Sequence, residues 1–324
     1  MTNHVIPTGV PQITMFYDRS GNIPFWDDPS VYGGIDRPDN YQPRLDMMTT
    51  VADFYHKRFL EEDVLILSLI RDSVVLNENQ LRRLLHGKVS SNRLSNRIRY
   101  MSIYGYTDRW KLKSREEGVT SPPSPWSVGL GGYLYLKHSF PDFVMSPEKL
   151  INQGVKAVQR YVAINEIRTQ LYEYQALKGW KWHSVVGNNP KLGKPFAVGA
   201  MAGPRGEILL LFNRLQQGQA YMDHLMDRLR NWNTVFMHNN QSLPVMDFPK
   251  KPVVVAISVS SISMAQSLVE KIPVEEFKIP IWFIVDEYLE KEKLPNAVFS
   301  LNPDGLKKVP LSWLKSRLTT ENDE

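Results

Sequence analysis

The stretch NENQLRRLLHGKVSSNRLSNRIRYMSIYGY, residues 77–106, decides how the first half of this chain reads. Asn77 has the character of a helix N-cap, and Gln80 three residues on completes a capping box. Leu81, Leu84 and Leu85 supply an apolar stripe at helical spacing, and Gly87 ends it. Ser90 or Ser91 then caps a further helix running to about Tyr104, with Gly105 as its stop. Two short helices joined by a tight turn predict a helix-turn-helix.

Working outward, Phe59, Leu60, Val64, Leu67, Leu69 and Ile70 recur at helical spacing from Thr50 on, predicting a first helix that ends near Asp72. After Gly105, Tyr106–Leu112 and Gly132–Leu136 read as two strands around a polar loop with Gly118, Pro122, Pro123 and Pro125. Gly129-Leu130-Gly131-Gly132 is taken as the base of that hairpin, because a phosphate-cradling loop should follow a strand and open a helix. Three helices and a hairpin give a winged helix-turn-helix domain over residues 50–145. Residues 1–49 have neither period and read as an extended N-terminal arm, draped over the core through Phe16, Tyr17, Phe25 and Trp26.

On the helix from Ser91, Leu94, Ile98 and Met101 lie within about 60° of one another at ~100° per residue, so they define the buried side. Asn92, Arg93, Asn96, Arg99 and Tyr100 fall on or near the other side, with Arg97 at the flank. Asn and Arg suit a major groove, where Arg pairs bidentately with guanine and Asn with adenine. Arg82 and Arg83 on the preceding helix, and Arg109, Lys111 and Lys113 on the wing, are placed to neutralise phosphates. From Leu81 to Arg115 there are ten basic residues and one acid, Asp108. That excess is larger than the +5 of the whole chain. The basic segment is therefore a feature of one region, and double-stranded DNA is its expected partner.

Met145–Leu150 reads as a linker, and beyond it the rhythm changes. A long helix from Val155 to about Leu177 is followed by strands at Trp180–Val186, Phe196–Met201 and Ile208–Phe212. A helix at Gln216–Asn231, a strand at Val253–Ser258, a helix near Ile262–Glu270 and a strand at Ile281–Val285 complete the set. Over residues 151–312 the leading αβββαβ order is that of restriction-endonuclease-like nucleases, giving a mixed α/β domain and an α+β chain overall. Such nucleases hold Mg²⁺ with an Asp on the second core strand and a Glu-x-Lys on the third. Here Phe196 stands where the Asp is needed and Asn213-Arg214 where the Glu-x-Lys belongs. Glu166 alone makes a poor metal site, so the catalytic motif is expected to be missing and no metal or cofactor is expected. Asp223, His224 and Asp227 read as a wet helix face, and Asp286-Glu287 as a strand leaving the core for solvent. Residues 313–324 form a polar, acidic tail.

The chain has no cysteine, which removes disulfides, Cys-based zinc sites and thiol catalysis. No run of ~18 apolar residues is present and the N-terminus lacks a signal-peptide layout, so a cytoplasmic protein without membrane contact is expected.

Gln80-Leu81-Arg82-Arg83-Leu84-Leu85, Ser91–Met101, the Tyr104-Gly105-Tyr106 exit and the Asn165-Glu166-Ile167-Arg168 step together resemble the replication-relaxation family of plasmid and mobile-element proteins. The resemblance covers about residues 55–290 and is one of pattern and order. It implies a DNA-binding accessory protein in plasmid replication or in relaxation at a transfer origin, working beside a relaxase or replication protein. Its second domain would dock that partner or form a homodimer. The chain departs from the family's better-preserved members at Phe196 and Asn213, which argues against a nuclease role. A transcription regulator with a winged-helix reader is the first alternative, and a metal-dependent nuclease the second.

Overall fold

In the computed structural model of this protein the capping box forms. Asn77 Oδ1 accepts the N–H of Gln80 at 2.8 Å, and Gln80 Oε1 accepts the N–H of Asn77 at 3.1 Å. The structure describes residues 17–116, 119–140, 145–216 and 221–314. The chain is mixed α+β and divides into two units, residues 28–166 and residues 167–324 with the segment before residue 28.

The 28–166 unit runs β1 (Tyr32–Asp36), α1 (Met47–Tyr55), α2 (Glu61–Ser73), β2 (Val75–Asn77), α3 (Glu78–Leu84), α4 (Ser91–Ile103), β3 (Thr107–Lys113), β4 (Pro125–Val128), α5 (Leu130–Ser139) and the first part of α6 (Pro147–Glu173). Its sheet is antiparallel in the order β1-β3-β4-β2. The helix face defined by Leu94, Ile98 and Met101 is buried as expected. Gly87 and Gly105 end their helices at φ 76° and 68°, in the left-handed region that glycine enters without a Cβ penalty.

Three expectations are corrected. The single helix from Thr50 to near Asp72 is two, α1 and α2. The break is built from Asp53, whose carbonyl accepts the N–H of Arg58 and Phe59, and from Lys57 at φ 56°. Asp63 starts α2 afresh by accepting the N–H of Leu60 at 2.8 Å. The arm contains an ordered strand, since β1 pairs with β3 and places Ile35 opposite Trp110. Gly132–Leu136 is not a strand; it lies within α5, and the partner of β3 is β4 instead. The alternation of Tyr133, Leu134, Tyr135 and Leu136 imitates a strand, but the glycines decide the outcome. Gly131 N–H bonds the Gly105 carbonyl at 2.9 Å and Gly129 N–H that of Tyr106 at 3.0 Å, an approach that side chains would prevent.

The expected linker at Met145–Leu150 runs into α6, which is interrupted at Gly154 (φ 71°, ψ −168°). The second unit takes the rest of α6, then β5 (Leu177–Trp182), β6 (Ala197–Gly203), β7 (Gly206–Arg214), α7 (Tyr221–His238), β8 (Val253–Val259), α8 (Ile262–Val269), β9 (Ile281–Val285), α9 (Asp286–Lys291), β10 (Val298–Asn302) and β11 (Gly305–Lys308). Its seven strands lie in the order β11-β10-β9-β8-β7-β6-β5. Only the β7–β8 and β8–β9 pairs are parallel. These central strands are continuous apolar runs, as burial on both faces requires. Beneath them Leu211, Val255, Ile257, Phe283, Leu229 and Trp232 belong to one core. Of the expected tail, only Trp313 and Leu314 fall among the described residues; Trp313 Nε1 donates to the Ala202 carbonyl at 3.2 Å.

A Cβ on Gly132 would stand 2.1 Å from the Tyr106 carbonyl oxygen, whereas one on Gly34 meets nothing within 4 Å. Gly132→Ala should therefore lower stability by about 1–3 kcal/mol or more. Gly34→Ala should leave the melting temperature nearly unchanged, and thermal melts of the two variants check this.

Candidate nucleic-acid interface

The basic segment is less free than its sequence suggests, because acids from outside it reach the cations. Asp63, wholly buried, accepts Arg97 Nε on Oδ1 at 2.8 Å and Arg97 Nη2 on Oδ2, while Arg97 Nη2 also donates to the Arg58 carbonyl. This pairing holds the Arg97 guanidinium above its ordinary pKa. Arg97 is therefore a structural ion pair joining α2 to α4. The Tyr100 ring lies beside Tyr104 and under the Arg97 guanidinium, so it too serves this packing.

Arg83 donates to both oxygens of Glu166, at 2.7 and 2.9 Å, and Gln80 Nε2 donates to the Val162 carbonyl. Asn165 Nδ2 donates to the carbonyls of Ser73 and Val75, so Asn165 and Glu166 fasten α6 within the first unit. Arg82 pairs with Glu78 and Arg93 with Glu62, both at 2.7 Å, yet each guanidinium stays largely exposed. Arg109 is half-buried, 3.7 Å from Asp36 and bonded to Ser124. Asp108, the lone acid of the segment, is buried, and burial pushes its carboxyl up to about 6.

What remains is specific. Asn92, Asn96 and Arg99 on α4, Lys88 in the turn before it, and Lys111 and Lys113 on β3 are exposed. Among the described residues their side chains are committed to no partner. The eleven residues selected from sequence thus separate into two structural arginines (Arg83, Arg97), a packing tyrosine (Tyr100), three paired arginines (Arg82, Arg93, Arg109) and five uncommitted groups. Sequence reasoning missed Glu62, Asp63 and Glu166 as partners, because they lie outside the basic window and meet it only in three dimensions; Glu78, four residues before Arg82 on α3, was a local i,i+4 pair.

The second unit was read for a nuclease site at Phe196 and Asn213. Phe196 immediately precedes β6, and Asn213 lies on β7. Ala197 faces Phe212 in the β6–β7 ladder, and alternation puts Arg214 on the same side as Phe212. Asn213 points the other way, and its Oδ1 accepts Arg228 Nη1 of α7 at 2.7 Å. Arg214 Nη1 donates to Ser258 Oγ at 2.9 Å and lies 2.7 Å from Asp286 Oδ2. These three residues end β7, lie on β8 and follow β9, where the parallel strands finish together. Burial pushes the Asp286 carboxyl up to about 7 against the pull of Arg214, with Asp27 and Glu290 adding to the rise. Glu287 is buried as well, accepting the N–H of Ile262 at 3.0 Å and that of Arg19 at 3.2 Å. Asp286 and Glu287 therefore turn inward, contrary to the expectation of a strand leaving for solvent. Asp223, His224 and Asp227 are exposed on α7, and no group of three metal-ligating side chains occurs among the described residues.

No protein-family model matches this sequence, and no curated protein does either. Among solved structures, the restriction endonuclease FokI aligns at 11% identity and a TM-score of 0.29, over 71% of this chain. FokI bound to DNA aligns at 10% identity and a TM-score of 0.27 over the same share. The chain spans 44% of the FokI chain in both alignments. Overlap at this level assigns neither fold nor activity. No helix among the described residues is long and apolar enough to cross a membrane.

Removing Arg97 strands a buried carboxylate, so Arg97→Ala should destabilise the protein by about 3–5 kcal/mol. Arg97→Lys recovers only part of this, since an ammonium cannot present the two-pronged donor edge. Arg99→Ala, on the exposed face, should change stability by less than about 0.5 kcal/mol. Urea unfolding of the three variants measures the contrast.

Proposed function

We propose that the 28–166 unit is a winged helix-turn-helix that binds double-stranded DNA through the outward face of α4. One observation carries the reading: Asn92, Asn96 and Arg99 stand exposed and uncommitted on α4, the helix that follows α3 after a short turn, opposite a side sealed by Leu94, Ile98 and Met101. Planar amide and guanidinium groups there match base edges in a major groove. Lys88, Lys111 and Lys113 flank this face and suit phosphates. The order helix, strand, helix, helix, strand, strand with β2, β4 and β3 antiparallel supports the same assignment.

Within this reading the protein is a DNA-binding accessory factor of a plasmid or mobile element, acting in replication or transfer-origin processing. The resemblance of residues 80–106 and 165–168 to the replication-relaxation family supports that role. The second unit is an endonuclease-like core without a metal site, its α6-β5-β6-β7-α7-β8 order supporting the core. In this reading Phe196 and Asn213-Arg214 stand where metal-binding carboxylates would be required, and none of them supplies one. The purified protein should accordingly not nick supercoiled plasmid with Mg²⁺ or Mn²⁺. Metal-stimulated nicking that co-elutes with the protein and disappears in a point variant would contradict this.

The DNA reading is tested by titrating a duplex recovered by the protein from a random pool, against an unselected duplex. With four to six phosphates neutralised, the log–log salt slope should be about −3.5 to −5.5; a slope shallower than about −2 contradicts the interface. Asn96→Ala and Arg99→Ala should each weaken the selected duplex ~5- to 150-fold and the unselected one much less. Lys111→Ala and Lys113→Ala should weaken both equally and reduce the slope by about one.

A further inference from the structure

Arg214 has a wholly buried side chain, yet half of its guanidinium is unused. Nη1 is occupied by Ser258 and Asp286. Nε and Nη2, the two nitrogens of the side-on edge, are buried and meet no acceptor among the described residues. Asp286 Oδ1 is buried and unpartnered beside them. Two other arginines use the same edge: Arg93 presents Nε and Nη2 to Glu62, and Arg97 presents them to Asp63.

A buried charged donor without an acceptor costs stability, and such groups in native proteins mark a role. A guanidinium edge offers two parallel N–H groups, which match two oxygens of one oxyanion better than a single water does. Ser258 and Asp286 fix the plane of the guanidinium, so the edge is oriented in advance. Its place at the C-terminal ends of parallel strands is where open α/β sheets receive ligands.

We propose that Arg214, held by Ser258 and Asp286, anchors an oxyanion site for a phosphate group at the ends of β7, β8 and β9. This site is independent of the α4 interface. An anion beside Asp286 favours the protonated carboxyl, which then donates to the anion through Oδ1; the proton is taken from solvent. The charged groups acting on Asp286 are Arg214 from β7, Asp27 from the N-terminal segment and Glu290 from α9. Of these only Arg214 attracts an anion, so binding should be linked to proton uptake.

The test follows the Arg214 Nε–H resonance in the ¹⁵N-labelled full chain, with sodium sulfate as probe and chloride holding the ionic strength constant. Sulfate does not titrate near neutrality, so any pH dependence belongs to the protein. The resonance should shift saturably, and the apparent affinity should fall about tenfold per pH unit above pH ~7. Asp286→Asn should bind sulfate without that pH dependence. Arg214→Lys keeps the buried charge but not the edge, and should bind at least tenfold more weakly by sulfate-induced melting shift. Inorganic phosphate, a 5′-phosphorylated oligonucleotide and its 5′-hydroxyl counterpart then separate the sources: a response to the first alone marks free phosphate, and a response to the second but not the third marks a strand end. No saturable response of Arg214 to sulfate or phosphate overturns the site, as does equal binding by Arg214→Lys. If Arg214→Lys does not fold, a sulfate affinity as pH-dependent in Asp286→Asn as in the native chain overturns it instead.

Discussion

The buried carboxylate of Asp63 organises the first unit. It starts α2 by capping the N–H of Leu60 and fixes α4 by taking both donors of the Arg97 edge. A wholly buried charge is tolerated only with such complete pairing. The consequence reaches the surface, because the flank of α4 carrying Arg97 and Tyr100 is consumed in packing. The residues left for a partner are those rotated further out, Asn92, Asn96 and Arg99. What the fold needs and what a ligand can touch are thus divided along one helix.

The second unit solves a comparable problem at the ends of its parallel strands. Arg214 and Asp286 are brought together where β7 ends and β9 passes into α9, with Ser258 of β8 between the two strands. At that position stands a fixed cation, the buried Arg214 guanidinium, and an anion site there differs in kind from a metal site. A buried guanidinium attracts anions and repels a divalent metal, so the two kinds of site exclude each other at that position.

Much of this was legible in the sequence. Asn77 and Gln80 announced their capping box, Leu94, Ile98 and Met101 their buried side, and Ile281–Val285 its strand to the residue. The failures share a cause, which is that the deciding partner is distant along the chain. β1 has no strand-like sequence, since Gly33 and Gly34 sit in the middle of it; pairing with β3 makes it one. α5 alternates like a strand, but the carbonyls of Gly105 and Tyr106 that its glycines approach select a helix. A count of charge along residues 81–115 could not include Glu62, Asp63 or Glu166, which neutralise part of it.

The most direct measurement is of the side chains said to read DNA. In the ¹⁵N-labelled full chain, the side-chain NH₂ resonances of Asn92 and Asn96 should move on addition of the selected duplex, while the Nε–H resonance of Arg97, held by Asp63, stays in place. Movement confined to other resonances, with Asn92 and Asn96 unperturbed at saturation, would show that α4 is not the reading helix and would contradict the account.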